Sequence, residues 1–185
     1  MLIPPRNWRR LVHKRFMDTI ALLRAVNVGG TGKLPMAELK AMAEELGFAN
    51  ARTYIASGNL LFDAAGLSEA GVKARLEKRL AQFAGKAVGV LVRSAAEIAR
   101  VVADNPFVSE PGNRVVAIFL DGAPSKSALT DHKGLADERI ALGRREIYVH
   151  YPRGQGTSRL IIPAAKAGTA RNMNTVMKLA ELAGN

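Results

Sequence analysis

The sequence contains no cysteine. That removes a disulfide framework, a thiolate nucleophile and every cysteine metal site, and it fits a reducing compartment such as the cytoplasm. Histidine is nearly as scarce: His13, His132 and His150 stand far apart and match no zinc-ligand spacing. Aromatic residues make up only 5% of the chain, which weakens the case for an aromatic-rich partner interface. No apolar run approaches the ~18 residues a membrane span requires. The N-terminus lacks the uninterrupted apolar core of a secretory signal, since Leu11-Val12 is flanked by charges.

Acidic residues are scarce where basic ones collect. The net charge is +11, but residues 17–143 are almost neutral. The excess comes from Arg6, Arg9, Arg10, Lys14 and Arg15 at one end. At the other it comes from Arg144, Arg145, Arg153, Arg159, Lys166, Arg171 and Lys178. Clustered positive charge points to anionic partners, although a charge run is more often simply solvated. Residues 1–16 are either a basic arm or an extension upstream of a start at Met17, and the second reading is favoured. Deleting them is expected to leave folding intact.

What is present is a globular pattern: 185 residues, 48% hydrophobic, enough for one domain or two small units sharing a core. The organising stretch runs from Thr19 to Leu46. An apolar run from Ile20 to Val26, broken only by Arg24, suits a buried strand. The loop Asn27-Val28-Gly29-Gly30-Thr31-Gly32-Lys33 follows, then a helix announced by Pro35 and closed by Gly47. Loop amides beside a helix start make an anion site conceivable. The P-loop pattern fails, because Asn27 stands where its first glycine belongs and Leu34 replaces the hydroxyl residue. A dinucleotide fingerprint fails at Pro35. The plain account is a wide glycine turn.

Further along, 52–56 and 60–63 read as strands around Ser57-Gly58-Asn59, a tight turn or a bulge. Leu67 to Phe83 reads as a helix burying Val72, Leu76, Leu80 and Phe83. A strand at 87–92 leads to a capping box, Ser94-Ala-Ala-Glu97, which opens a helix burying Ile98, Val101 and Val102. After the loop 107–113 come a strand at 115–120, a short helix at 126–132, and a hairpin of 139–142 with 146–151. A loose connection over 153–169 precedes a last helix at about 172–183. The first half reads as a split βαβ arrangement and the second as its shortened echo.

Three stretches together resemble one bacterial family: A-L-L-R-A-V-N-V-G-G-T-G-K-L-P-M-A-E-L, R-T-Y-I-A-S-G-N-L-L-F and R-N-M-N-T-V-M-K-L-A-E-L. The family is that of domain of unknown function 1697, and the likeness runs from Met17 to the C-terminus. It implies an α+β fold of two ferredoxin-like (βαββαβ-type) halves packed as one compact unit, with boundaries at 17–106 and 107–185. It brings no established activity, cofactor or catalytic residue. It implies that the Asn27 to Lys33 loop, the Ser57-Gly58-Asn59 turn and Arg171-Asn172-x-Asn174-Thr175 are signature positions. Where many members resemble R-N-W-N-T, this chain has Met173: an aromatic that stacked on a ligand would be lost here, whereas one that merely packed is readily replaced by methionine.

Candidate ligand-binding residues are therefore Arg24, Asn27, Gly29, Gly30, Lys33, Ser57, Asn59, Arg171, Asn172 and Asn174. The expected arrangement joins Gly29, Gly30 and Lys33 to Arg171 and Asn172 in one anion site. Asp63 and Asp121 each end a strand, but such residues usually open turns rather than form an acid–base pair. Tyr148, His150 and Tyr151 interleave with Arg145, Arg153 and Arg159, a mixture that binds single strands by stacking and charge. His150 on its own reads as structural. The leading expectation is a cytoplasmic module binding a phosphorylated small molecule or nucleic acid, without a membrane partner. An enzyme on a small anionic substrate, with Arg24, Lys33 and Arg171 holding charge, and a self-association protein are the alternatives.

Overall fold

The computed structural model describes residues 19–27, 33–64 and 66–184. Strands β1 (Thr19–Leu23), β2 (Ala49–Tyr54), β3 (Asn59–Asp63) and β4 (Val90–Ser94) form one sheet in the order β2-β3-β1-β4. Every neighbouring pair is antiparallel. Helix α1 (Met36–Glu45) joins β1 to β2, and α2 (Glu69–Ala84) joins β3 to β4. This is the ferredoxin-like βαββαβ order.

The second sheet holds β5 (Val115–Phe119), β6 (Arg139–Leu142), β7 (Glu146–His150) and β8 (Thr169–Asn172), ordered β6-β7-β5-β8. Counted within its half, each strand takes the same place as in the first sheet. The crossover helices are reduced to 3-10 turns at Lys126–Leu129, Gln155–Thr157 and Pro163–Ala165. One helix follows the last strand of each half: α3 (Ala95–Ala103) after β4 and α4 (Met173–Ala183) after β8. The fold is α+β, as expected.

The alternation of side chains along β1 explains its unbroken apolar run. Ala21 and Leu23 face α1 and α2, packing with Leu39, Met42, Leu76 and Leu80. Ile20 and Leu22 face the opposite way, into a core shared with α3, α4 and the second sheet's Ala117, Phe119 and Tyr148. Helices α3 and α4 therefore lie in the interior between two sheets. The outer face of the second sheet (Val116, Ile118, Ile147, Val149) is covered by Ala128, Ile162 and neighbouring loop residues.

Helix ends follow local chemistry. Ser68 caps α2 by accepting from the Gly71 amide, and Gly85 ends it in the left-handed region. The capping box at Ser94 and Glu97 forms as the sequence implies. Glu97 also accepts from Arg145 at 3.1 Å. Burial pushes the Glu97 carboxyl up, but the Ser94 amide and hydroxyl and the Arg145 guanidinium outweigh it. The group thus sits below the ordinary carboxylate range, so its stabilising contribution is present above that range and lost as pH falls through the folded value. Glu97→Gln should lower the melting temperature at pH 7 by an amount equivalent to about 1 kcal/mol or less. The gap between the two proteins should close on acidification; a gap that persists at pH 3 would refute the assignment.

Four expectations need correction. Between the connection expected over 153–169 and the helix expected from 172, the structure has strand β8 (Thr169–Asn172), which the sequence reading leaves out. It is short, and its inward residues, Thr169 and Arg171, are polar, so no apolar alternation announces it. The short helix at 126–132 is a four-residue 3-10 turn. Phe83 is 42% exposed rather than inward, because the last turn of α2 overlies a cleft instead of a strand. Tyr148, His150 and Tyr151 are all buried, at 1%, 5% and 5% exposure, so they offer no stacking platform to a nucleic-acid strand. The Tyr148 hydroxyl donates to the Val101 carbonyl at 2.9 Å, and the His150 ring lies against Arg139 and Glu110.

Candidate functional site: a cationic cleft at the exit of β1

Strands β1 and β4 are antiparallel neighbours, so the exit of β1 adjoins the entry of β4. The Arg24 amide continues the pairing by donating to Gly89 O at 2.9 Å. The chain leaving α2 must reach β4 through residues 85–89, beside the chain that leaves β1. Between them lies a cleft of about 380 Å³. Its cationic lining is Arg24, Lys33 and Lys86, and its apolar lining includes Val26, Leu34, Leu80, Phe83 and Val88. No acidic residue is among the described residues that line it.

Arg24 reaches this position by lying across Gly89. A Cβ at Gly89 would come within 2.9 Å of Arg24 Cδ, so only glycine leaves room for the stem. The Arg24 guanidinium donates from Nε to Gly168 O at 3.2 Å and from Nη2 to Lys166 O at 2.9 Å. Among the described residues Nη1 has no hydrogen-bond acceptor, and Lys33 and Lys86, both exposed, have no carboxylate partner. Three positive groups therefore face one small cleft with donors to spare.

A second cluster lies beneath it. Arg171 is 7% exposed and donates to six acceptors: Asn59 Oδ1, Thr169 Oγ1, and the carbonyls of Ala170, Leu23, Ser57 and Gly58. Burial pulls its pKa down to about 10, so it remains charged at neutral pH. All five of its N–H groups have protein acceptors, leaving none for a ligand. Asn59, fully buried, donates to Tyr54 O and Ser57 Oγ, and so fixes the 55–58 turn. Asn27 accepts from the Leu34 amide and donates to the carbonyls of Leu34 and Ala56. It thereby ties the base of the glycine loop to that same turn. Ala25, Asn27 and Ile55 all hold positive φ (49°, 55° and 50°), and a β-branched residue such as Ile55 rarely does so.

The expected residues thus separate into three groups. Arg24 and Lys33 line the cleft. Asn27, Ser57, Asn59 and Arg171 form the hydrogen-bonded scaffold that shapes its approach. Asn172 caps α4 by accepting from the Thr175 amide, while Asn174 lies against Gly112, where a Cβ would meet its Oδ1 at 2.2 Å. Gly29 and Gly30, like His13, Met17 and residues 1–16, lie outside the described residues. Asp63 pairs with Asn50 and Asp121 with Lys73, so each has its own partner. Lys86 and Phe83 are the site residues that sequence reasoning missed. A lysine just after a helix C-cap is ordinary dipole compensation, and nothing in its spacing marked it out.

Among the described residues there is no cluster of three or more His, Asp or Glu positioned to hold a metal ion, and no helix long and apolar enough to cross a membrane. A family model described as a protein of unknown function (DUF1697) matches residues 17–148. No curated protein matches the chain. Among solved structures, the conserved bacterial protein SP0830 from Streptococcus pneumoniae is similar at TM-score 0.74 and 23% identity. That match covers 91% of this chain and 99% of the other, and it shows a common fold.

Proposed function

The chain belongs to the DUF1697 family of proteins of unknown function, and from that premise we propose that it binds a small phosphorylated ligand in the cleft at the exit of β1. One observation carries the reading: Arg24, Lys33 and Lys86 converge on a cleft whose described lining holds no carboxylate. Its volume lies in the range of about 300–1,000 Å³ found for small-molecule sites. The scaffold of Asn27, Asn59 and Arg171 supports the reading because it fixes the neighbouring backbone before any ligand arrives. What the described lining offers is charge and apolar surface, so the role proposed is binding. The burial of Tyr148, His150 and Tyr151 favours a small ligand over a nucleic-acid strand.

Titration calorimetry with inorganic phosphate, pyrophosphate and ribose 5-phosphate tests this. Lys33→Ala and Lys86→Ala should each weaken binding by ~1–3 kcal/mol, the range for a charge-assisted contact. Both side chains are exposed, so the melting temperature of the free protein should barely move. Unchanged affinity in both variants, or no binding by any of the three anions, would overturn the reading.

A further inference from the structure

We propose that the ligand of this cleft carries a flat unsaturated ring beside its phosphate, as a nucleoside monophosphate does, with the ring placed on Phe83. The inference rests on the anion reading above and adds the chemical class of what is bound. Phe83 lines the cleft from the last turn of α2 and keeps 42% of its surface exposed. Among the described residues its ring is neither stacked on another aromatic ring nor covered by a cation. An exposed aromatic side chain has a hydrophobic surface to bury and a π-face to offer.

The neighbours of Phe83 narrow the choice. Leu80 lies one turn back on α2, and Val26 and Val88 complete an apolar wall. Lys86 stands three residues beyond Phe83, so charge and ring flank the same opening. Inorganic phosphate or a sugar phosphate would satisfy the cations and leave the ring and wall hydrated. A purely apolar ligand would desolvate three cations without compensation. A phosphate joined to a planar ring meets both demands within about 380 Å³, a volume suited to a single nucleotide unit rather than a polymer.

The test compares AMP, ribose 5-phosphate, phenyl phosphate and a short oligonucleotide on the full chain, with Phe83→Ala, Phe83→Leu and Lys86→Ala as variants. AMP should bind the wild-type protein on the order of tenfold or more tighter than ribose 5-phosphate, as stacking on an aromatic side chain provides. Both Phe83 variants should reduce AMP to the level of ribose 5-phosphate and leave ribose 5-phosphate unchanged. Phenyl phosphate separates the two sources of the ring. If it shares the advantage, any aromatic phosphate fits; if it lacks it, the cleft selects a nucleobase, and either result supports the inference. Equal affinity for AMP and ribose 5-phosphate, or an equal loss of both in the Phe83 variants, overturns the ring assignment. In that case Lys86-sensitive binding of ribose 5-phosphate would leave the anion reading standing. Binding of the oligonucleotide alone overturns both, as does no binding at all.

Discussion

Replacing Arg171 by alanine should be among the most damaging single changes available in this protein. The side chain joins β8 to the end of β1 and to the 55–58 turn, and so ties the second sheet to the first. Its removal strips hydrogen bonds from Asn59 Oδ1, Thr169 Oγ1 and four carbonyls, in a region water reaches poorly. Each buried acceptor left unpaired costs about 1–3 kcal/mol, and partial relaxation brings the total to ~3–5 kcal/mol. In a domain of this size, that is a fall in melting temperature on the order of 10 °C. Arg171→Lys should recover part of the loss, since three donors on a point charge cannot reproduce the planar fork. Arg171→Met separates the hydrogen bonds from the volume. It fills similar space without donors, so a Met variant as stable as the wild type would refute the assignment.

Arg93 plays a related part elsewhere on the junction. It is 1% exposed and donates to the carbonyls of Val92, Leu120 and Arg145, while its guanidinium lies 5.6 Å from the centre of the Phe119 ring. Burial and the nearby Arg145 lower its pKa, with Glu97 and Glu69 acting in opposition. Arg145 in turn donates to Glu69, Glu97 and the Asp121 carbonyl. Two buried arginines thus cross between the sheets, each bonded chiefly to backbone carbonyls.

Such arginines are illegible in a sequence. Four of the six partners of Arg171 lie 112 to 148 positions away, and three of those four are backbone carbonyls, which carry no side-chain signature. The same residue read in sequence order looks like a free cation opening a helix. By contrast, the helices could be read in advance because their burial repeats every three or four positions, as at Val72, Leu76 and Leu80. Strand β1 was legible through its unbroken run, and the second hairpin through Gly143-Arg144 between two β-rich segments. The cleft was half legible. Arg24 and Lys33 sit beside the glycine loop in sequence, whereas Lys86 and Phe83 arrive there only because β4 pairs with β1.

Gly58→Ala should show how far the scaffold and the cleft are one unit. Gly58 holds φ at +79°, a conformation costing an L-residue roughly 1–2 kcal/mol. A Cβ there would also come within 2.5 Å of Val26 Cγ2 and 2.8 Å of Leu23 Cβ. Neither neighbour is a long flexible side chain that can swing aside. Overpacking of this kind adds about 1–3 kcal/mol, so the expected destabilisation is ~2–5 kcal/mol in all. The direction of relief matters for function. Val26 lines the cleft and Leu23 O accepts from Arg171, so the strain passes to the anion site on one side and to the inter-sheet hub on the other. The variant should therefore melt lower and also bind ribose 5-phosphate more weakly, measured well below its melting temperature. Gly47→Ala, away from the cleft lining, is the control, because it also replaces a left-handed glycine but its Cβ meets nothing within 4 Å. It should destabilise by only about 1 kcal/mol and leave affinity alone. If Gly58→Ala lowered stability without touching affinity, the turn would support the fold and not the site, and the coupling between Gly58 and Val26 would have to be abandoned.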